Sequence, residues 1–269
     1  MAAPVSVPRE LLELAEHSNT YTPLGVGEQR LEDPRFVVWL GPSKAPWSTV
    51  VQRLRLRGED VEETVNEIRE LLDRLDRPPR CQWEVSGSAT PSGLHERLLG
   101  LGFEADPEPE VVGMVLTAEP PPVPAGVVVR RVESLEDFAV SQEIAHVAFG
   151  VPEAQRVEMH ERDAAGFEQL LASRDAALFL AELDGVPVAS ARATFARAGV
   201  VLNSGATLPA ARGRGAYRAL VRARWEEGRR RGTPALVTQA GAQSRPILSG
   251  LGFVEVAEIR VLLDGPAAA

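Results

Sequence analysis

With 269 residues, the chain is longer than one ordinary domain and shorter than three, since a domain takes roughly 100 to 200 residues. Hydrophobic residues make up 44% and charged residues 25%, the balance of a water-soluble globular protein with apolar material for two cores. The net charge of −9 is uneven: residues 127 to 269 carry 17 Arg and 17 Asp plus Glu, leaving 12 basic and 21 acidic groups in the first 126. An acidic first half argues against nucleic acid as a partner, because binding a phosphate backbone needs a basic footprint.

In chain order, the start, MAAPVSVPRELLELAEH, has no basic segment followed by an apolar one. No run of about 18 apolar residues exists anywhere, so neither export nor a membrane partner is expected and a cytoplasmic location is. Strand patterns fall near residues 36 to 41 (FVVWLG) and 48 to 56 (STVVQRLRL). A helix follows, with Val61, Val65, Ile68, Leu71, Leu72 and Leu75 on one face. Cys81, the only cysteine, lies in the strand pattern CQWEVS and reads as a packing residue in a reducing compartment. The clearest break is AEPPPVPAG, residues 118 to 126, where four prolines remove backbone donors and fix φ. It divides the chain into a domain at 1 to 118, a linker at 119 to 126 and a domain at 127 to 269.

Past the break, VVVRRV (127 to 132) reads as a strand, and Ser134 with Asp137 in the first turn starts a helix. A second helical stretch covers about 153 to 173. Three strands follow at 177 to 183, 187 to 196 and 200 to 208, the first two joined by the hairpin signal Asp184-Gly185. Then come a Gly/Arg segment, a helix to Arg231 ended by Gly232, a strand at 234 to 239, a short helix near 245 to 251 and a last strand at 254 to 263. The ending is repeated: LLGLGF (98 to 103) lies 150 positions before LSGLGF (248 to 253), and the elements ahead of each share an order. This pattern predicts an internal duplication.

The segment VVLNSGATLPAARGRGAYRALVRARW reads as strand, turn and helix. A helix start presents backbone N–H groups without internal partners at the positive end of the peptide dipoles, a natural seat for phosphate. Gly213 and Gly215 remove side chains from those amides, Arg212 and Arg214 add charge, and Tyr217, Leu220, Val221, Trp225 and Gly228 form a packing face. A Rossmann fingerprint would need a third glycine where Arg218 stands, and a Walker loop would need a lysine that this half lacks. The remaining alternative is a structural turn with a solvated arginine face.

The element order and Arg212-Gly-Arg-Gly215-Ala-Tyr217, with the two LGF endings, resemble the GNAT superfamily of acyl-CoA-dependent N-acyltransferases, whose signature is Arg/Gln-x-x-Gly-x-Gly/Ala. The likeness covers nearly all of residues 127 to 264. It implies an α/β (α+β) fold with two tandem GNAT-like domains, each a mixed, mostly antiparallel sheet flanked by helices. It further implies a V-shaped opening between the fourth and fifth strands of the second domain. There acetyl-CoA would be held by the backbone of Ala206, Thr207 and Leu208 along its pantetheine arm, and by Arg212, Gly213, Arg214, Gly215, Ala216 and Tyr217 at its pyrophosphate. The implied activity is transfer of an acetyl group to a small-molecule or peptide amine by direct attack, with no metal. The alternative is a regulatory protein that binds acyl-CoA and no longer catalyses. The resemblance leaves the oligomeric state open, a homodimer included.

Three features depart from the family pattern. Tyr217 replaces a small residue, Leu248 stands where a tyrosine often protonates the departing thiolate, and Gly241 stands where an asparagine is often found. Solvent, Tyr217 or no group at all then serves as the acid, so no catalytic residue is assigned. His146 and His160 read as partly buried helix residues, and Glu158 and Glu182 as possible bases. The Arg229 to Arg231 run suits a helix C-terminus, contact with the 3′-phosphate of CoA being the other option. In the first half the counterpart of the loop, LRLRGEDVEET, puts Glu59, Asp60, Glu62 and Glu63 at the helix start, where they would repel a diphosphate. One cofactor per chain is therefore expected, bound by the second half.

Overall fold

The computed structural model describes residues 7–265. The first half contains α1 (Arg9–Glu16), α2 (Ser18–Tyr21), β1 (Gln29–Glu32), β2 (Val37–Leu40), β3 (Thr49–Gln52), α3 (Val61–Arg74), β4 (Cys81–Ser86), α4 (Leu94–Gly100) and β5 (Glu104–Leu116). The second contains β6 (Val127–Arg131), α5 (Leu135–Ala148), α6 (Glu153–His160), α7 (Asp163–Ala172), β7 (Ala176–Leu183), β8 (Val186–Phe195), β9 (Val200–Thr207), α8 (Ala216–Arg230), β10 (Leu236–Ala240), α9 (Arg245–Ser249) and β11 (Val254–Asp264). The fold is mixed α/β, with open and mostly antiparallel strand arrays flanked by helices.

Contacts divide the chain into two compact units. One is formed by residues 115–238 and 248–254, the other by 8–114, 239–247 and 255 onward. In the second of these the strand order is β1-β2-β3-β4-β11-β5. The final strand of the chain thus pairs antiparallel with β4, from Ile259 opposite Ser86 to Asp264 opposite Cys81. Asp264, 2% exposed, receives three charge-assisted hydrogen bonds from Nε and Nη2 of Arg69 on α3. The core here joins Val38, Leu40, Val51, Leu54, Ile68, Leu72, Trp83, Leu98, Phe103 and Leu262, with the Trp83 and Phe103 rings edge to face at 5.1 Å. Cys81 is fully buried, and that burial pushes its thiol up to about 12, the signature of an inert packing residue.

In the other unit the order is β10-β9-β8-β7-β6. Asp184 and Gly185, both at positive φ, close the β7–β8 hairpin. Ser190 Oγ donates to the Ser141 carbonyl of α5, whereas Phe195, five residues along β8, lies under Arg231 at the end of α8. Because strand side chains alternate, α5 and α8 cover opposite faces. Ser134 caps α5 by accepting from the Asp137 N–H at 3.1 Å. Ser134→Ala should lower stability by about 1 kcal/mol, measurable as a shift in denaturant midpoint without a change in slope.

Three differences from the sequence reading have local causes. The stretch 153 to 173 is two helices, α6 and α7, interrupted at Glu161 and Arg162. Gly166 then lets α7 approach Phe138, where a Cβ would lie 2.9 Å from the ring. The strand expected to reach residue 56 ends at Gln52, because Arg53 is left-handed (φ 54°). Helices α1 and α2 and strand β1 had no sequence assignment.

The duplication is visible as repeated geometry. Phe103 N donates to Leu98 O at 3.2 Å, and Phe253 N to Leu248 O at 3.1 Å. Gly102 and Gly252, at φ 90° and 94°, supply the left-handed residue that this helix ending requires. Strand pairing repeats as well: β3 runs parallel to β4 at Val50–Gln82 and Val51–Trp83, as β9 does to β10 at Val200–Leu236 and Val201–Val237.

Candidate functional site

The site is set by how β9 leaves β10. Their register covers only Val200 and Val201. Beyond it, β9 carries a bulge against β8: Ser190 pairs with Ala206 and Arg192 with Asn203, so Ser204 and Gly205 together oppose Ala191. Ser204 takes the left-handed conformation (φ 47°). A bulge bends and twists its strand, and the β9–β10 register stops at Val201, so the edge of β9 along residues 202–207 is where the opening implied by the resemblance would lie. Past the bulge, Leu208 N donates to Val188 O. Alternate residues of a strand turn their backbone groups to opposite edges, so Ala206 and Leu208 face β8, whereas Gly205 and Thr207 face the opening. Of the three residues expected to pair with a pantetheine arm, Thr207 is the one with backbone groups turned that way. The Arg212 guanidinium Nε approaches its carbonyl at 3.4 Å.

The loop after β9 makes a 3-10 turn at Pro209–Ala211, then passes through Gly213 (φ 77°) and Gly215 (φ 90°) into α8. Gly215 is the N-cap, no side chain caps it, and the first turn carries no acidic residue. Arg212 and Arg214 are exposed, Arg214 reaching Asp184 at 3.4 Å, and Ala216 is buried. The two glycines serve different ends. A Cβ at Gly213 would meet nothing within 4 Å, whereas one at Gly215 would lie 2.5 Å from Pro124 Cγ. The Pro-rich stretch is accordingly packed on α8, held also by Arg222, which donates to the Pro120 carbonyl at 2.9 Å and pairs with Glu119 at 2.5 Å.

Tyr217 has a defined place. A Cβ at Gly205 would be 2.7 Å from its ring, so the missing side chain on β9 makes room for the phenol beside the bulge. The guanidinium of Arg224 lies 5.8 Å from the ring centroid. Arg224 is fully buried, donates to the carbonyls of Leu220 and Arg192, and leaves Nη2 without a hydrogen-bond partner. Desolvation pulls its affinity for a proton below the ordinary arginine value. This arginine sits on the face of α8 that the sequence marks as apolar, so helical spacing turns it inward while its charge argues for solvent.

The same opening in the first repeat is filled by the chain itself. Arg53 there is left-handed as Ser204 is, two residues past the parallel pair instead of three because β9 holds the extra bulge residue, so Leu54 and Leu56 take the places of Gly205 and Thr207. Thr90 N donates to Leu54 O at 3.2 Å, Leu56 N donates to Thr90 O at 3.0 Å, and Thr90 Oγ1 donates to Leu56 O at 3.0 Å. The backbone groups that would receive an added strand are already paired.

Other candidates are tied into the scaffold. Glu182 accepts from Arg130 Nε at 2.6 Å, and Arg130 also grips Asp137, holding that carboxyl below the usual carboxylate range. The Glu158 side chain lies outside the described residues. Leu248 is buried, and Glu108 fills the space at Gly241, its Oε1 falling 2.0 Å from where a Cβ would be. Arg230 and Arg231 pair with Glu227, and Arg231 stacks on Phe195, so these two serve the end of α8 rather than an anion. His146 and His160 meet between α5 and α6, their ring centroids 5.7 Å apart.

The chain matches no protein-family model and no curated protein. Solved structures do match. It is similar to a GCN5-related N-acetyltransferase from Kribbella flavida (21% identity, 89% of this chain and 90% of that one, TM-score 0.67). It is similar over its whole length to a tandem GNAT protein from the clavulanic acid biosynthesis pathway (17% identity, 91% of that chain, TM-score 0.62). A GCN5-related N-acetyltransferase from Sphaerobacter thermophilus is a third (18% identity, 88% and 84% covered, TM-score 0.60). The fold is therefore that of the GNAT acetyltransferases. The likeness to a tandem member runs through both repeats.

Proposed function

We propose that the protein transfers an acetyl group from acetyl-CoA to an amine, using one cofactor site per chain in the second of two repeats joined at residues 119 to 126. The observation that carries this reading is the open edge of β9, where Gly205 and Thr207 present backbone groups next to the uncapped start of α8. The pantetheine arm would pair along that edge as an added strand. The pyrophosphate would sit on the amides from Gly213 to Tyr217, with Arg212 and Arg214 beside it. A neutral amine then attacks the thioester carbonyl, the C–N bond forms, the nitrogen gives up one proton, the C–S bond breaks, and the departing thiolate takes up a proton. The protein's share is proximity and N–H donors for the developing oxyanion. The first repeat holds no second cofactor, since Thr90 occupies its edge and Glu62 and Glu63 lie in the first turn of α3.

A second reading is a binder without turnover, favoured by the buried Leu248 at the position of the usual thiol acid. One experiment separates the two. Acetyl-CoA at 100 times its dissociation constant should stabilise the protein by about 2.7 kcal/mol, and no thermal shift at millimolar concentration would sink both readings. Release of free CoA thiol with a panel of amines then decides between them, stabilisation without release favouring the binder.

A further inference from the structure

We infer that Glu143, His146 and His160 form a binding site for a zinc-type divalent cation between α5 and the end of α6. One ligand atom from each lies within 4.8 Å of the others. Glu143 and His146 are one helical turn apart on α5 and so share a face, while His160 closes α6. His160 Nε2 is 3.1 Å from Glu143 Oε2. A tetrahedral ion with bonds of about 2.0 to 2.2 Å holds its ligand atoms roughly 3.3 to 3.6 Å apart, so the widest pair needs to close in by no more than about 1.5 Å. Two imidazoles and a carboxylate suit zinc, and three protein ligands leave a position for water.

Two further features point to an ion. His146 is only 7% exposed, and its Nδ1 is buried with no hydrogen-bond partner. An unpaired buried ring nitrogen is destabilising, and a metal bond at that nitrogen would satisfy it. His160 Nδ1 is held by Asp163 Oδ2 at 2.7 Å, and Asp163 is itself buried. A carboxylate on the far nitrogen sets the ring's tautomer and aims the near nitrogen at a metal. The competing account is a proton: a charged His160 bridging Asp163 and Glu143, with Arg156 on Glu143 Oε1 at 3.4 Å. That arrangement satisfies His160 and leaves His146 unexplained.

The test uses the whole chain, stripped with a chelator and free of acyl-CoA, so its outcome is independent of the acetyltransferase reading. Zinc is titrated against a chromophoric competitor, and Co²⁺ is followed by its visible absorption. One tight equivalent per chain is expected, with the intense Co²⁺ bands of tetrahedral nitrogen and oxygen ligation. His160→Asn and His146→Asn should each weaken binding at least 100-fold, and Asp163→Asn about 10- to 100-fold through its hold on His160. Weak binding that survives His160→Asn, or pale octahedral Co²⁺ bands in the unaltered protein, would overturn the assignment in favour of the proton. The Co²⁺ spectrum needs no substitution, so a variant that fails to fold does not affect it.

Discussion

Gly213→Asp is expected to lower acetyl-CoA affinity on the order of 100-fold while leaving the fold intact, whereas Gly215→Glu should lower both affinity and stability. Both glycines are left-handed, at φ 77° and 90°. Aspartate tolerates that region better than most residues, and a side chain at 213 has open space. Its carboxylate would face the diphosphate across the exposed amides. Two like charges about 4 Å apart at an effective dielectric near 20 repel by about 4 kcal/mol, so a loss of 100-fold, about 2.7 kcal/mol, allows for partial screening. At 215 a Cβ would meet Pro124 at 2.5 Å, so the packed linker or the start of α8 must move. With strain of about 2 to 3 kcal/mol, the melting temperature should fall by roughly 5 to 10 °C. Calorimetry with acetyl-CoA and thermal melts without it read the two effects apart. As a control, Glu59→Gln in the first repeat should change neither. Equal loss of affinity from Glu59→Gln would refute the one-site reading.

Glu84→Gln is expected to raise stability by about 3 kcal/mol above pH 7 and to have little effect near pH 4. Glu84 lies on β4, 8% exposed, with Gln239 Nε2 at 3.5 Å, and burial pushes its pKa up to about 7. In the unfolded chain the carboxyl ionises near 4.5. The folded form keeps its proton longer, so its contribution is full below 4.5 and is lost as pH rises towards 7. His17 has the opposite sign, for burial lowers it to about 4. Its contribution is full above 6.5 and is lost as pH falls through 4. In the natural protein the two slopes oppose each other between about 4.5 and 6.5; in the variant the acid-side loss from His17 should stand alone. The measurement is the difference in unfolding free energy between variant and natural protein from pH 4 to 8. A difference that stays flat across that range would show that Glu84 ionises normally in the fold.

Much of the scaffold is legible along the chain because it depends on near neighbours. Ser134 three residues before Asp137, Asp184-Gly185 between two apolar strands, and the glycine of each LGF ending are local devices, and each takes the predicted form. The break between α6 and α7 was not legible, since helical periodicity runs through it and only packing on Phe138 and the His160–Asp163 contact reveal two helices. Arg224 shows the same limit from the other side. Helical spacing cannot distinguish an arginine that reaches solvent from one buried over Tyr217 with its donors on distant carbonyls.

Two repeats, a glycine-arginine turn between a strand and a helix in the second, and acidic residues at the same place in the first can be read along the chain. Which residues of β9 turn away from β8 depends on the register of the folded strands. A single extra residue at Ser204 turns Gly205 and Thr207 outward, and Thr90, 34 residues after Leu56, closes the equivalent edge in the first repeat. The tertiary structure also decided that the final strand pairs with β4, and that two histidines and a glutamate from separate helices meet. These are matters of backbone register and of contacts between residues far apart in the chain, which no local pattern encodes.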